Sequence, residues 1–179
     1  LVFEYASHLL AAARRSHVHG AFLFIDLDRF KPINDLYGHE IGDHVLKEVA
    51  RRLLASVRKE DLVARLGGDE FIVVLHQVGN VDSAAAVAQH ILNVLSYPFE
   101  IDELDLSISA SIGISEFPLH GTDVDTLIHA ADLAMYQGKS DNRGSFCRYT
   151  PELINRADAS SAIEAQLKRA LQRKELALD

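Results

Sequence analysis

The segment Arg65-Leu66-Gly67-Gly68-Asp69-Glu70-Phe71 lies between two apolar runs, residues 62–64 and 71–75, and decides the fold. Two adjacent glycines between β-branched runs predict a tight hairpin, because glycine tolerates the positive φ angles that primed turns need. We therefore expect strands over residues 61–66 and 70–76. The Asp-Glu pair enters an apolar strand, so it forms either a solvated hairpin tip or a concentration of negative charge that binds a cation.

The composition is that of an ordinary globular protein and narrows the possible partners. The 179 residues fit one domain, or one domain with an appendage, and 48% of them are hydrophobic. The net charge of −8 argues against a nucleic-acid polymer as partner, since that needs a basic face, although metal ions can bridge carboxylates to nucleotide phosphates. The single cysteine, Cys147, excludes an internal disulfide and suits a reducing cytosol.

The sequence shows neither a signal peptide nor a membrane segment, because no apolar run approaches the ~18 residues that span a bilayer. The chain starts at Leu1 without a methionine, from which we expect a fragment of a longer protein. We expect a cytoplasmic location, with any membrane anchor of the full-length protein lying in the missing parts.

Hydrophobic periodicity predicts alternating helices and strands. Residues 21–27 are apolar on both faces, as in a buried central strand, and a last strand is expected at 145–149. Residues 99–104 and 105–114 are expected to pair as a second hairpin. Helices are expected over residues 3–15, 29–37, 42–57, 81–96, 124–138 (capped by Thr122 or Asp123) and, after a change of pattern, 159–175.

The order of these elements brings distant carboxylates together. If strands 21–27 and 61–66 share one sheet, the helical crossover makes them parallel, so their carboxyl ends lie at the same edge. One end carries Asp26 and Asp28, and the other carries the 67–70 turn. Because a hard cation with oxygen ligands relieves repulsion between carboxylates, we expect a Mg²⁺ site at this edge.

Six motifs stand in a fixed order along residues 3–149. They are Phe24–Lys31 (FIDLDRFK), Asn34–His39 (NDLYGH), Gly42-Asp43, Gly67–Phe71 (GGDEF), Ser107–Gly113 and the segment from Ala130–Tyr136 to Lys139. In order and spacing they resemble the GGDEF domain, the diguanylate cyclase family. The resemblance implies an α/β (α+β) fold: a central, mainly antiparallel five-stranded sheet flanked by helices, with an adenylyl-cyclase- and palm-like βααββαβ core.

The resemblance also implies a role for each matching residue. Asp26, Asp69 and the backbone carbonyl of Leu27 would hold Mg²⁺ or Mn²⁺ against GTP. Glu70 would lie near the ribose 3′-hydroxyl, and either Asp69 or Glu70 would be the working base. The remaining residues would contact other parts of GTP. Asn34 and Asp43 would bind guanine, and Gly67 and Gly68 would leave room for phosphate and ribose. The phosphates would be contacted by Lys31, Lys139 and Arg143.

Several of these residues also have ordinary structural interpretations. Asn34 and Asp43 suit helix boundaries, where short polar side chains cap free N–H groups. Lys139 and Arg143 suit a solvated last helical turn, and they would lie one turn apart if the helix continues that far.

The activity implied by the family is the condensation of two GTP molecules into cyclic di-GMP and two pyrophosphates. Each protomer would bind one GTP, so a homodimer is required. The segment Arg58-Lys59-Glu60-Asp61 resembles the family's inhibitory product site, in which Arg58 and Asp61 would bind cyclic di-GMP. A guanidinium and a carboxylate suit the two edges of guanine.

The sequence departs from the family pattern near its beginning and in its C-terminal part. The family's opening Asp-x-Leu-Thr-Gly-Leu-x-Asn-Arg is missing, and residues 140–144 (SDNRG) differ from the common Gly-Arg-Asn. Residues 1–149 would form the GGDEF domain, and residues 150–179 resemble its helical connector to an EAL phosphodiesterase domain. We therefore expect a piece of a GGDEF–EAL tandem protein. The alternative to a cyclase is a catalytically silent GTP- or cyclic di-GMP-binding module that regulates the EAL domain.

Overall fold

The computed structural model describes residues 2–79 and 81–154. The helices are α1 (Val2–Ser16), α2 (Phe30–Tyr37), α3 (His39–Ser56), α4 (Val81–Ser96) and α5 (Val124–Asp141). The strands are β1 (Gly20–Asp28), β2 (Leu62–Gly67), β3 (Glu70–Leu75), β4 (Phe99–Ile101), β5 (Leu104–Leu106), β6 (Ser109–Phe117) and β7 (Phe146–Arg148).

Five strands form the main sheet, in the order β2-β3-β1-β6-β7. Strand β3 pairs antiparallel with both β1 and β2, so β1 and β2 run in the same direction with β3 between them. Strand β6 pairs antiparallel with β1, whereas β6 and β7 pair in parallel. The predicted βααββαβ core with a mainly antiparallel five-stranded sheet is therefore confirmed, as is the common direction of the first two strands.

Strand β1 is buried on both faces, as its unbroken apolar pattern predicts. Leu23 and Ile25 lie in a core that contains residues of α3 and α4. Phe22 and Phe24 lie in a second core on the opposite face, with residues of α1 and α5. Since each face is covered by two helices, β1 is held in the middle of the domain and its carboxyl end is fixed in position.

The hairpin expected from residues 99–104 and 105–114 forms only in part. Strand β4 pairs with β5 in a separate two-stranded sheet, whereas residues 109–114, which were expected in the same strand as residues 105–106, belong to β6 and join the main sheet beside β1. The turn between β4 and β5 consists of Asp102 and Glu103, with φ angles of 46° and 66°. Two consecutive left-handed residues make a two-residue turn, which ends the first strand three residues earlier than the apolar pattern suggests.

Helix α5 begins and ends at identifiable signals. Of the two candidate caps, it is Asp123 that accepts a hydrogen bond from the backbone N–H of Thr126, at 2.9 Å. The helix ends at Asp141, and Asn142 takes an extended conformation. Lys139 is therefore in the last turn of α5, whereas Arg143 lies beyond the helix, so the condition under which the two residues would lie one helical turn apart is not met.

The chain forms two compact units, Leu1–Tyr149 and Thr150–Asp179. The helix expected over residues 159–175 lies outside the described residues. Within residues 2–79 and 81–154, every helix is too short or too polar to cross a membrane.

Candidate functional site

The carboxyl end of β1 meets the turn between β2 and β3. Asp26 and Glu70 are cross-strand neighbours in the β1–β3 register. The backbone N–H of Leu27 donates to the backbone carbonyl of Asp69 at 3.2 Å. Three of the predicted acidic residues are therefore brought to one edge by backbone pairing alone, as the strand order indicated.

Lys139 reaches this edge from the last turn of α5. Its ammonium donates to Oδ1 of Asp26, and the two side chains keep 25% and 14% of their surface exposed. Burial raises the pKa of Asp26, the Lys139 ammonium opposes that rise, and the carboxylates of Asp69 and Asp28 reinforce it. The Lys139 ammonium thus offsets part of the negative charge of Asp26 and the neighbouring carboxylates.

Glu70 is the second carboxyl whose proton affinity the site increases. Its pKa is raised first by burial and then by the negative charges of Asp26, Asp132 and Asp69, while Lys139 lowers it. The contribution of Asp132 was not expected from the sequence. Asp132 is half-buried on α5, and burial raises its pKa as well. Asp132 lies within the Ala130–Tyr136 motif, so the motif itself could have identified it as a candidate site residue.

The turn itself is open and held by a neighbouring arginine. Gly68 has φ of +51°, a left-handed conformation that glycine adopts without strain. Within the described part of the chain, no atom lies within 4 Å of the position that a Cβ would take at Gly67 or Gly68. Nε of Arg65 donates to the carbonyl of Gly68 at 2.9 Å. The turn therefore offers bare backbone to a ligand while its own shape is fixed from the β2 side.

A second part of the site lies between α2 and α3. Gly42 is buried, and a Cβ there would stand 1.8 Å from Oδ1 of Asn34, so the two predicted motifs are in direct contact. Asp43 follows and is exposed. It lines a cavity of about 380 Å³, whose other walls include Leu46, Lys47, Arg65 and Phe71.

The remaining predicted phosphate contacts are more exposed. Lys31 lies on the surface at the start of α2. Nε of Arg143 lies 4.0 Å from Oδ1 of Asp28, and the arginine side chain is 57% exposed. The structure thus places Arg143 next to the carboxyl end of β1 and leaves more than half of its side chain open to solvent.

Arg58 and Asp61 form a local turn at the far end of the β2–β3 hairpin. Oδ2 of Asp61 accepts from the backbone N–H of Arg58 at 3.0 Å, and Oδ1 accepts from the backbone N–H of His76 at 2.9 Å. Both residues line a cavity of about 300 Å³ with the end of α3. Asp61 therefore has a structural task, and the Arg58 side chain is exposed beside a cavity.

The carboxyl end of β1 and the neighbouring turn, with Asp26, Asp69 and Glu70, form an acidic edge that is not by itself a complete metal site. Among residues 2–79 and 81–154, no three His, Cys, Asp or Glu side chains are grouped so that they could hold a metal ion. The oxygen donors at this edge are the carboxylates of Asp26 and Asp69, which lie close enough for the charge of Asp69 to raise the pKa of Asp26. They fit Mg²⁺, which is commonly bound by one or two carboxylates while substrate phosphates and water fill the other positions.

Comparison with known proteins identifies relatives over most of the chain. The family model described as "Diguanylate cyclase, GGDEF domain" matches residues 1–145. MucR of Pseudomonas aeruginosa, named a bifunctional diguanylate cyclase/cyclic di-GMP phosphodiesterase, is 40% identical over 88% of this chain and 23% of its own length. The cyclic di-GMP phosphodiesterase PdeR of Escherichia coli is 37% identical over 87% of this chain, again 23% of its length. The chain thus spans less than a quarter of either relative.

The fold is shared with a solved structure. The crystal structure of the GGDEF domain of TpbB from Pseudomonas aeruginosa matches with a TM-score of 0.78 and 41% identity, over 80% of this chain and 90% of that one. The family model covers far more than half of the sequence and includes both the acidic edge and the Gly-Gly-Asp-Glu turn. This chain belongs to the GGDEF domain family of diguanylate cyclases.

Proposed function

We propose that this domain is a diguanylate cyclase that condenses two GTP molecules into cyclic di-GMP and two pyrophosphates. The observation that carries the proposal is the pairing of Asp26 with Glu70 across β1 and β3, beside Asp69 and the Lys139 ammonium. A relative supports it: TpbB of Pseudomonas aeruginosa, 45% identical over 126 residues, is named a diguanylate cyclase.

The chemistry would be phosphoryl transfer by positioning and charge neutralisation. Asp26, Asp69 and the carbonyl of Leu27 would hold Mg²⁺ or Mn²⁺, which neutralises charge on the phosphates when it is bound. Asp69 or Glu70 would take the proton from the ribose 3′-hydroxyl. Glu70 is the cross-strand neighbour of Asp26, which would place it beside the metal-binding carboxylates.

The cations around the edge would bind the triphosphate. Lys139 is engaged with Asp26 in this structure, so we expect it to exchange the carboxylate for phosphate when metal and GTP bind. Lys31 and Arg143 are exposed and would contact phosphates from the surface. Gly67 and Gly68 leave space for ribose and phosphate beside the turn.

The contact between Asn34 and Gly42 supports a guanine site next to Asp43. A carboxylate accepts hydrogen bonds from guanine N1–H and N2–H, and an amide donates to guanine N3 or O6. One protomer holds one GTP, and the 3′-hydroxyl of each would attack the α-phosphorus of the other. A homodimer is therefore part of the proposed reaction.

Regulation by the product would involve Arg58 and Asp61. The exposed Arg58 side chain beside the 300 Å³ cavity suits a guanine or phosphate of cyclic di-GMP, while Asp61 keeps the local turn in shape. In the full-length protein we expect a cytoplasmic GGDEF domain followed by an EAL domain, since MucR is named for both activities.

A second candidate function is a GTP- or cyclic di-GMP-binding module that regulates a neighbouring phosphodiesterase domain. It is favoured by PdeR, which is 37% identical and is named only for the phosphodiesterase activity. Against it stands the full acidic set, since Asp26, Asp69 and Glu70 are all present.

The deciding experiment is incubation of the purified chain with GTP and Mg²⁺ at high protein concentration, followed by chromatography of the nucleotides. We expect cyclic di-GMP from the intact chain and at least about a hundredfold less from Asp69→Ala, because a metal ligand and candidate base is lost. Tight GTP binding without any product would reject the cyclase and support the regulatory module.

Replacing Gly42 with Ala should weaken GTP binding about tenfold or more, because the new Cβ would displace the Asn34 amide from guanine and cost a hydrogen bond. The measurement is calorimetric titration with the α,β-methylene analogue of GTP, which cannot release pyrophosphate. In an Asn34→Ala background the same glycine substitution should cost little further affinity. Full additivity of the two changes would contradict an effect through Asn34.

A further inference from the structure

Asp28 is a buried carboxylate at the acidic edge to which neither the motif roles nor the proposed chemistry assigns a task. Its side chain keeps 2% of its surface exposed. It accepts hydrogen bonds from Oγ of Ser109 and Oγ of Ser111, both at 2.9 Å, and from the backbone N–H of Gly144 at 3.1 Å. A buried carboxylate with three donors is a rigid element, because each donor restrains its position.

These hydrogen bonds join three separate parts of the domain. Asp28 ends β1, the two serines lie on β6, and Gly144 lies in the connection between α5 and β7. Gly144 has φ of +75°, a conformation that directs its N–H without strain because it has no side chain. The connection after α5 is therefore attached to the main sheet through Asp28.

Arg143 is the residue whose position depends on this attachment. It follows the end of α5, so its backbone lies outside the hydrogen-bond pattern of the helix, and its neighbour Gly144 is held by Asp28. Its Nε lies 4.0 Å from Oδ1 of Asp28, while 57% of the side chain remains exposed. The guanidinium is thus restrained on one side and free to bind on the other.

The pairing of Asp28 with Arg143 resembles the pairing of Asp26 with Lys139, and Asp26 lies two residues before Asp28 on β1. Side chains two positions apart on a strand lie on the same face, so Asp26 and Asp28 both face the carboxyl end of α5. The difference between them is burial: Asp26 is partly exposed, whereas Asp28 is enclosed by its donors. Asp26 can therefore exchange its lysine for another cation, but Asp28 keeps its partners.

Resting on the cyclase or GTP-binding function proposed above, we propose that Asp28 is a positioning residue that aims Arg143 at the phosphates of the bound nucleotide. It does so by holding Gly144 and by balancing part of the Arg143 charge. A purely structural Asp28 would stabilise the domain but would not alter how binding depends on the number of phosphates.

The test is a double-mutant cycle of Asp28→Asn and Arg143→Ala on the full chain. Calorimetry measures the affinities for the α,β-methylene analogue of GTP and for GMP, with Mg²⁺ present. We expect Asp28→Asn to reduce the triphosphate affinity about tenfold and the GMP affinity about twofold or less, since an interaction with the outer phosphates is lost. In the Arg143→Ala background, Asp28→Asn should change the triphosphate affinity by less than about twofold.

A second variant covers the case in which Asp28→Asn does not fold. Ser109→Ala removes one of the three donors at an exposed position, and should reduce the ratio of triphosphate to GMP affinity about two- to threefold. An unchanged ratio in the folded variants, or full additivity with Arg143→Ala, would overturn the inference. Failure of the unmodified chain to bind the triphosphate would instead reject the function proposed above.

Discussion

Replacing Asp26 with Asn should reduce the rate of cyclic di-GMP formation by at least about a thousandfold, which corresponds to about 4 kcal/mol of transition-state stabilisation. The substitution keeps the size of the side chain but removes the charge that would hold the metal ion. It also replaces the charged partner of the Lys139 ammonium with a neutral amide oxygen. The measurement is the steady-state rate at saturating GTP, with thermal unfolding to confirm that the variant is folded.

A matched control and a metal substitution make this experiment specific. Asp105→Asn changes the same chemical group at an exposed position of β5, outside the acidic edge, and should leave the rate within about twofold. Mn²⁺ accepts neutral ligands more readily than Mg²⁺, so it should restore part of the activity of Asp26→Asn. A folded Asp26→Asn variant that retains more than a tenth of the rate would exclude the proposed metal role.

Local sequence signals were sufficient where the structure depends on a few neighbouring residues. The Gly-Gly turn and its two flanking strands follow from the conformational freedom of glycine and from β-branched runs. The bounds expected for residues 99–114 were wrong for two reasons. The turn between β4 and β5 is made by Asp102 and Glu103, a pair without a glycine to indicate left-handed φ angles. Leu106 and Ile108 are both buried, so the alternating apolar pattern continues across the break between β5 and β6 and predicts one strand where there are two.

Some features of the candidate site could also be predicted from the sequence, whereas others depend on how the elements pack. The common edge of Asp26 and the 67–70 turn could be predicted, because strand direction follows from the crossover. The ion pair of Asp26 with Lys139 joins residues 113 positions apart and depends on how α5 packs against the sheet, so the individual contact could not be predicted from spacing. Asp132 was missed for the same reason, because its effect on Glu70 needs that packing.

Gly113 is the residue that permits this packing of α5. A Cβ at Gly113 would lie 1.8 Å from the carbonyl oxygen of Ala131 and 2.3 Å from the backbone nitrogen of Met135. Both atoms belong to the backbone of α5, so no side chain can rotate to relieve the clash. On the same face of β6, Oγ of Ser115 donates to the carbonyl of Leu127 at 2.7 Å, which also requires the helix to lie close.

Gly113→Ala should therefore destabilise the domain by about 3 kcal/mol, because the helix must move away from the sheet. For a chain of this size we expect the melting temperature to fall by about 6–12 °C. Gly79→Ala is the matched control: its nearest neighbour would be Oγ of Ser83 at 3.7 Å, an ordinary contact, and its stability should change by less than about 0.5 kcal/mol. Because α5 carries Lys139 to Asp26, the folded Gly113→Ala protein should also bind the triphosphate more weakly. Unchanged stability and unchanged binding together would show that α5 can shift without cost, contrary to its close backbone contact with β6.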